Sequence, residues 1–167
     1  MSTNVTVDVN VFIRAVVGGH DTFRSWPSPP PVRGNLTANV VGILNDAREF
    51  SLWVSPHLLA NTLRVLASTP PDGYGWEQAR GEEYVALIAE IAEASDGGVV
   101  EPAVTVNDCR DFEDNRILEC ALASGSDLTV SDDTDLLEMS PWRGIPVLTS
   151  SEFVQRTDAM RRSRRRP

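Results

Sequence analysis

The chain has 167 residues, 41% hydrophobic and 23% charged, which suits one domain with one sizeable core. Its 15 cations are all arginine and its formal net charge is −9. The absence of lysine excludes Schiff-base catalysis, the P-loop phosphate cradle and the phosphoryl-aspartate folds, which otherwise share an aspartate at the end of a first strand.

Val5-Thr6-Val7-Asp8-Val9 alternates and is rich in β-branched residues, so it predicts a first strand. Asn10 opens a short apolar helix, Val11 to Val17, stopped by Gly18-Gly19. Residues 19–34 read as loop, because Pro27, Pro29, Pro30 and Pro31 forbid a helix or a central strand. A helix follows from about Thr37 to Arg48, then a short second strand, Leu52-Trp53-Val54. Ser55-Pro56 starts the next helix, with a hydroxyl N-cap and proline at the first helical position. It runs to about Ala67, with Leu58, Leu59, Leu63 and Leu66 on one face. Pro70-Pro71-Asp72-Gly73 is a turn, and Trp76 to Ala94 a long helix.

Val99-Val100 predicts a third strand region, with Ala103 to Val106 as a possible extension. Asp114 to Ala123 is the next helix, closed by Gly125. Leu128-Thr129-Val130 is a strand, Asp133 to Met139 a short helix, and Ile145 to Leu148 the last strand. Thr149 and Glu152 form a capping box that opens a final helix. Alternating strands and helices predict an α/β fold, a parallel sheet with helices on both faces. The organisation expected is one domain over residues 1–155 and a basic tail over 156–167.

Charge is unevenly placed. Residues 101–138 hold eleven acids against Arg110 and Arg116, a net −9. Residues 156–167 hold six arginines against Asp158, a net +5, and read as a disordered, solvated end. Nothing is long enough to span a membrane, and the N-terminal apolar stretch has no basic lead and is broken by Asp8 and Asn10, so no signal peptide is expected. Cys109 and Cys120 make neither a disulfide framework nor a zinc pattern, and a cytoplasmic location is expected. His20 and His57 lack ligand spacing to a second histidine or cysteine and read as surface residues.

Sites in a doubly covered parallel sheet form at the carboxyl ends of the strands. Asp8 ends the first strand. Asp133 and Asp135 follow the Leu128–Val130 strand. Asp114 lies three residues before Ile117 and four before Leu118, so it sits over the buried face of its helix. Asp114 and Asp133 also suit plain helix N-caps, and Asp135 a surface acid. Taken together, clustered carboxylates need a neutralising partner, and a hard divalent cation such as Mg²⁺ or Mn²⁺ suits oxygen ligands.

These segments resemble the PIN-domain family. Val7-Asp8-Val9-Asn10-Val11-Phe12-Ile13 resembles its opening strand and turn. Asp111-Phe112-Glu113-Asp114-Asn115-Arg116-Ile117-Leu118 resembles its second acidic helix. Thr129-Val130-Ser131-Asp132-Asp133-Thr134-Asp135-Leu136-Leu137 resembles its later strand and turn, and Ile145-Pro146-Val147-Leu148 with Glu152-Phe153 its ending. The nearest branch in pattern is the toxin component of bacterial toxin–antitoxin systems, the VapC-like ribonucleases.

The resemblance implies a three-layer sandwich around a central parallel sheet and Mg²⁺- or Mn²⁺-dependent cleavage of single-stranded RNA. It implies Asp8, Asp114 and Asp133 as metal-binding acids and Asp135 as an accessory acid. Ser131 matches the small hydroxyl residue, and Asn10 the amide bracing the first acid. It implies an antitoxin partner and a homodimer. One position departs: Asn61 stands where the family's second helix carries glutamate, which keeps an oxygen but loses a charge. Asn61 therefore reads as a weak or indirect ligand, and the rival reading is an inactive PIN fold that binds RNA or protein. Arg14, Arg64, Arg110 and Arg116 fall near the acidic edge as candidate phosphate contacts, or as partners of neighbouring acids. A structure-specific DNA nuclease of related fold is a third reading, for which the chain lacks length for the added DNA-binding helices.

Overall fold

The computed structural model describes residues 2–17, 23 and 25–167. The Gly18-Gly19 stop and His20 lie outside the described residues. Five strands form one parallel sheet: β1 (Thr3–Val7), β2 (Phe50–Val54), β3 (Gly98–Val99), β4 (Leu128–Val130) and β5 (Val147–Leu148), in the order β3-β2-β1-β4-β5. Seven helices are described: α1 (Val9–Val16), α2 (Leu36–Asn45), α3 (Pro56–Ala67), α4 (Gln78–Ala94), α5 (Phe112–Ser124), α6 (Thr134–Leu137) and α7 (Ser150–Arg165). This is the α/β sandwich expected from the alternation.

The strand order fixes where a site can form. From β1 the chain moves outward to β2 and β3, then crosses back to β4 on the other side of β1. Right-handed crossovers in opposite directions put helices on opposite faces. They also open a crevice between the carboxyl ends of β1 and β4. Register sets those ends level: Val7 pairs with Val130, so Asp8 and Ser131 leave the sheet side by side.

The core explains why the sheet is so apolar. Val5, Val7, Leu52, Val54 and Val130 are buried, as strands covered on both faces require. Phe12, Leu44, Ile88, Ile117 and Leu118 close over them from the helices. Each large aliphatic buried this way contributes roughly 1.5–3 kcal/mol of transfer free energy. Tyr84 ties α4 to α1 by donating its hydroxyl to the Phe12 carbonyl at 2.7 Å, and burial pushes its phenol up. Gly97 lets β3 lie against β2, since a Cβ there would meet the Leu52 carbonyl oxygen at 1.8 Å.

Several boundaries differ from the sequence reading. β1 ends at Val7, not Val9, because Asp8 caps α1 and turns the chain. Residues 103–106 form no strand; the Val106 N–H is taken by the Glu119 carboxylate at 2.8 Å. α5 starts at Phe112 with Asp111 as its cap, so Asp114 is not the cap. Nor is there a break at residue 156. α7 begins at the Thr149–Glu152 capping box and continues to Arg165, so most of the basic segment is helical rather than a disordered tail. Arg161 anchors it, donating from Nε and Nη2 to the two oxygens of buried Glu49 at 2.9 Å each. Among the described residues, no helix is long and apolar enough to cross a membrane.

Candidate metal centre

Asp8 sits where β1 ends and α1 begins. Its backbone N–H donates to the Val130 carbonyl at 2.9 Å, which stitches it to β4. Its carboxylate is held at both oxygens: Oδ1 accepts from the Asn10 N–H at 3.2 Å and Oδ2 from the Ser131 hydroxyl at 2.7 Å. Ser131 in turn accepts from the Asp133 N–H at 3.0 Å. Asp133 caps α6 by accepting from the Asp135 N–H at 2.8 Å. One hydroxyl thus spaces the two acids that follow β1 and β4.

Asp114 arrives from a third segment. Asp111 does the capping, accepting from the N–H groups of Glu113 at 2.8 Å and Asp114 at 3.3 Å. The Asp114 carboxylate, not needed as a cap, faces the sheet edge from the first turn of α5 and accepts at Oδ2 from the Cys109 thiol at 3.8 Å. Asn115 fixes the loop before it by bonding both the N–H and the carbonyl of Cys109 at 2.8 Å.

These three carboxylates converge. One oxygen from each of Asp8, Asp114 and Asp133 lies within 4.8 Å of the others. Asp8 and Asp114 are only 2% and 5% exposed, so their charges are poorly hydrated. Among the described residues, no arginine or histidine pairs with any of the three. Burial raises the Asp8 carboxyl, opposed by its bonds from Ser131 and Asn10 and assisted by Asp133 and Asp132. Asp114 is raised to about 7, first by burial and then by Asp133 and Asp8. A triply acidic, uncompensated, oxygen-only cluster fits a hard divalent cation, whose charge reverses both effects.

The cluster lies in a cleft of ≈ 200 Å³ also lined by Asn10, Asn61, Arg64, Asp111 and Glu113. A family model described as PIN domain matches residues 4–135, spanning all three acids. The chain belongs to the PIN domain family. A search among curated proteins returns no match. PIN domains are typically metal-dependent nucleases, and the carboxylate triad of this one is able to hold a divalent ion.

Other anticipated residues fall differently in this PIN domain. Asp135 is outside the triad; Arg110 holds it, donating to Oδ1 from Nη2 at 2.5 Å and from Nε at 3.0 Å. Its charge still helps to raise Asp114. The group of Asn10 that braces Asp8 is its backbone N–H, not its side-chain amide. Asn61 lines the cleft, but its carbonyl oxygen accepts from Arg64 Nε at 3.1 Å and Nη2 at 2.6 Å. The oxygen a metal would need is therefore already engaged.

Among the arginines singled out, Arg64 alone lines the acid cleft. Arg14 borders a different hollow with Asn35, Thr37 and Ser150. Arg116 turns back along its helix, pairing with Glu119 at 2.8 Å and donating to the Val106 carbonyl at 3.2 Å. Two features of the first turn of α5 are not apparent in the sequence. Glu113 lines the cleft and accepts from His57 Nε2 at 2.8 Å. Phe112, between the cleft residues Asp111 and Glu113, is 61% exposed, with the Arg116 guanidinium 4.4 Å from its ring centroid.

Proposed function

We propose that this PIN domain is a Mg²⁺- or Mn²⁺-dependent endoribonuclease that cuts single-stranded RNA, leaving a 5′-phosphate and a 3′-hydroxyl. The observation that carries the reading is the convergence of buried Asp8 and Asp114 with half-buried Asp133, without a cationic partner among the described residues. These three would hold the ion. When bound, a divalent cation supplies a water of lowered pKa and charge stabilisation at the phosphate.

The chain's own residues do the rest. Ser131 and the Asn10 N–H orient Asp8, so its carboxylate cannot swing away from the cleft. Ser131 sets Asp133 at a fixed spacing from Asp8. Asp135, kept on Arg110, acts on the triad through its field as an accessory acid. Exposed Phe112, whose chain neighbours Asp111 and Glu113 line the cleft, offers a ring for stacking beside the Arg116 guanidinium, which only unpaired bases can use; this supports a single-stranded substrate.

As its biological role we infer the toxin of a toxin–antitoxin pair, acting in the cytoplasm as a homodimer and silenced by a small protein that blocks the cleft. The test is Mn²⁺-dependent cleavage of single-stranded RNA by the parent, with Asp8→Asn as control. Cleavage by the parent that is lost in Asp8→Asn supports the enzyme; no cleavage by the parent over EDTA background overturns it. One observation favours a second reading. Asn61 adds no charge to the triad, so a PIN fold that binds RNA or protein without cutting is the rival, and activity gained only by Asn61→Glu would support it.

A further inference from the structure

We propose that Arg64 is the phosphate-gripping cation of this cleft and that Asn61 is its positioning residue, not a weakened metal ligand. The inference rests on the nucleic-acid reading above and names the residue that admits the anionic strand. Asn61 and Arg64 are three residues apart on α3, so they share one helix face. The Asn61 carbonyl oxygen accepts from two nitrogens of the same guanidinium, at 3.1 and 2.6 Å, which fixes its plane. Both residues line the cleft that holds Asp8, Asp114 and Asp133.

The chemistry of the anchor matters. Among the described residues, Arg110, Arg116, Arg143, Arg161 and Arg162 each pair with a carboxylate. Arg64 pairs with none, and its partner is a neutral amide. It is thus oriented without being neutralised. A guanidinium has five N–H donors, so several remain for a phosphate in the fork geometry that arginine favours. The other charged residues lining the cleft are acids, Asp111 and Glu113 included, and would repel a polyanion. Among the described residues Arg64 is the cation of the cleft lining, and a glutamate at position 61 would cancel it. The departure from the family pattern then trades a carboxylate for an open positive charge.

The experiment uses the full chain and a fluorescein-labelled oligouridine. RNA affinity is measured by anisotropy with Ca²⁺, single-turnover cleavage with Mn²⁺, and Mn²⁺ binding by calorimetry without RNA. Arg64→Ala should weaken RNA binding and raise KM about 10–100-fold, the usual loss of a charged hydrogen-bond partner, with Mn²⁺ affinity within about twofold of the parent. Arg64→Lys should recover part of the loss. Asn61→Ala should fall between, and Asn61→Ala with Arg64→Ala should be no worse than Arg64→Ala alone, since Asn61 acts through Arg64. Asn61→Glu should weaken RNA binding about as much as Arg64→Ala.

RNA binding indifferent to Arg64→Ala overturns the inference, as does a parent that binds no RNA. Tighter Mn²⁺ binding and faster cleavage in Asn61→Glu would overturn it by making position 61 a ligand site. The two readings fail separately. Arg64-dependent RNA binding without cleavage sinks only the nuclease, and cleavage indifferent to Arg64 sinks only this proposal.

Discussion

Asp114→Asn removes one of three carboxylates that the fold forces together, so it should stabilise the metal-free protein and abolish its response to divalent ions. Two unit charges at the 4.8 Å limit of the triad repel by roughly 3.5 kcal/mol at an effective dielectric of 20. Water in the cleft and partial protonation reduce the net relief to about 1–2 kcal/mol. The parent should recover this and more on loading: an ion at a hundred times its Kd stabilises by about 2.7 kcal/mol. Urea unfolding at pH 8, with EDTA and then with millimolar Mn²⁺, reads both terms. The expected pattern is a crossover, with the variant more stable without metal and the parent more stable with it. A variant that is less stable in EDTA yet gains as much from Mn²⁺ as the parent would mean that Asp114 neither repels its neighbours nor binds the ion.

The same carboxyl predicts a pH signature. Its folded value, about 7, lies above the ordinary 3.8. Protons therefore bind the folded state more tightly, and stability falls as pH rises from about 4 to 7. In EDTA the difference in stability between Asp114→Asn and the parent should widen across that window; a difference that stays flat contradicts it. Ser131→Ala removes the donor to Asp8 and the spacer to Asp133, and should weaken Mn²⁺ binding about tenfold in calorimetry with little change in fold. Phe112→Ala should leave the melting curve unchanged, because the ring is exposed, but cost about 5–100-fold in affinity for oligouridine. Arg161→Ala removes the partner of Asp46 and the two-pronged partner of buried Glu49, which keeps only Arg164 at 4.0 Å, and should destabilise by about 3 kcal/mol in urea. A loss under 1 kcal/mol there would mean the end of α7 is not anchored.

The sheet and its acids were legible for physical reasons. Asp8 closes a valine-rich strand, and Asp133 follows another, so a parallel sheet brings both to one edge. Asp114 was legible from its place above Ile117 and Leu118, although the cap was not. Asp111, Glu113 and Asp114 are all suited to a first turn, and only the backbone shows that Asp111 takes the N–H groups. Long-range pairings were not legible at all. A run of arginines looks like a solvated end until Arg161 is seen to reach Glu49, 112 residues away in sequence. Side-chain direction hid the rest. Arg116 and Arg64 read alike as candidate phosphate contacts, yet one folds back on Glu119 and the other enters the cleft on Asn61. Asp135 was rightly near the acids, but its pairing with exposed Arg110 depends on a loop whose path the sequence does not dictate.

Anomalous diffraction from crystals soaked in millimolar Mn²⁺ would locate the ion itself. The expected result is a peak within bonding distance of carboxylate oxygens from Asp8, Asp114 and Asp133, with Asn61 still bound to Arg64. A Mn²⁺ peak elsewhere with the triad empty, or a triad whose carboxylates have moved apart, would contradict it.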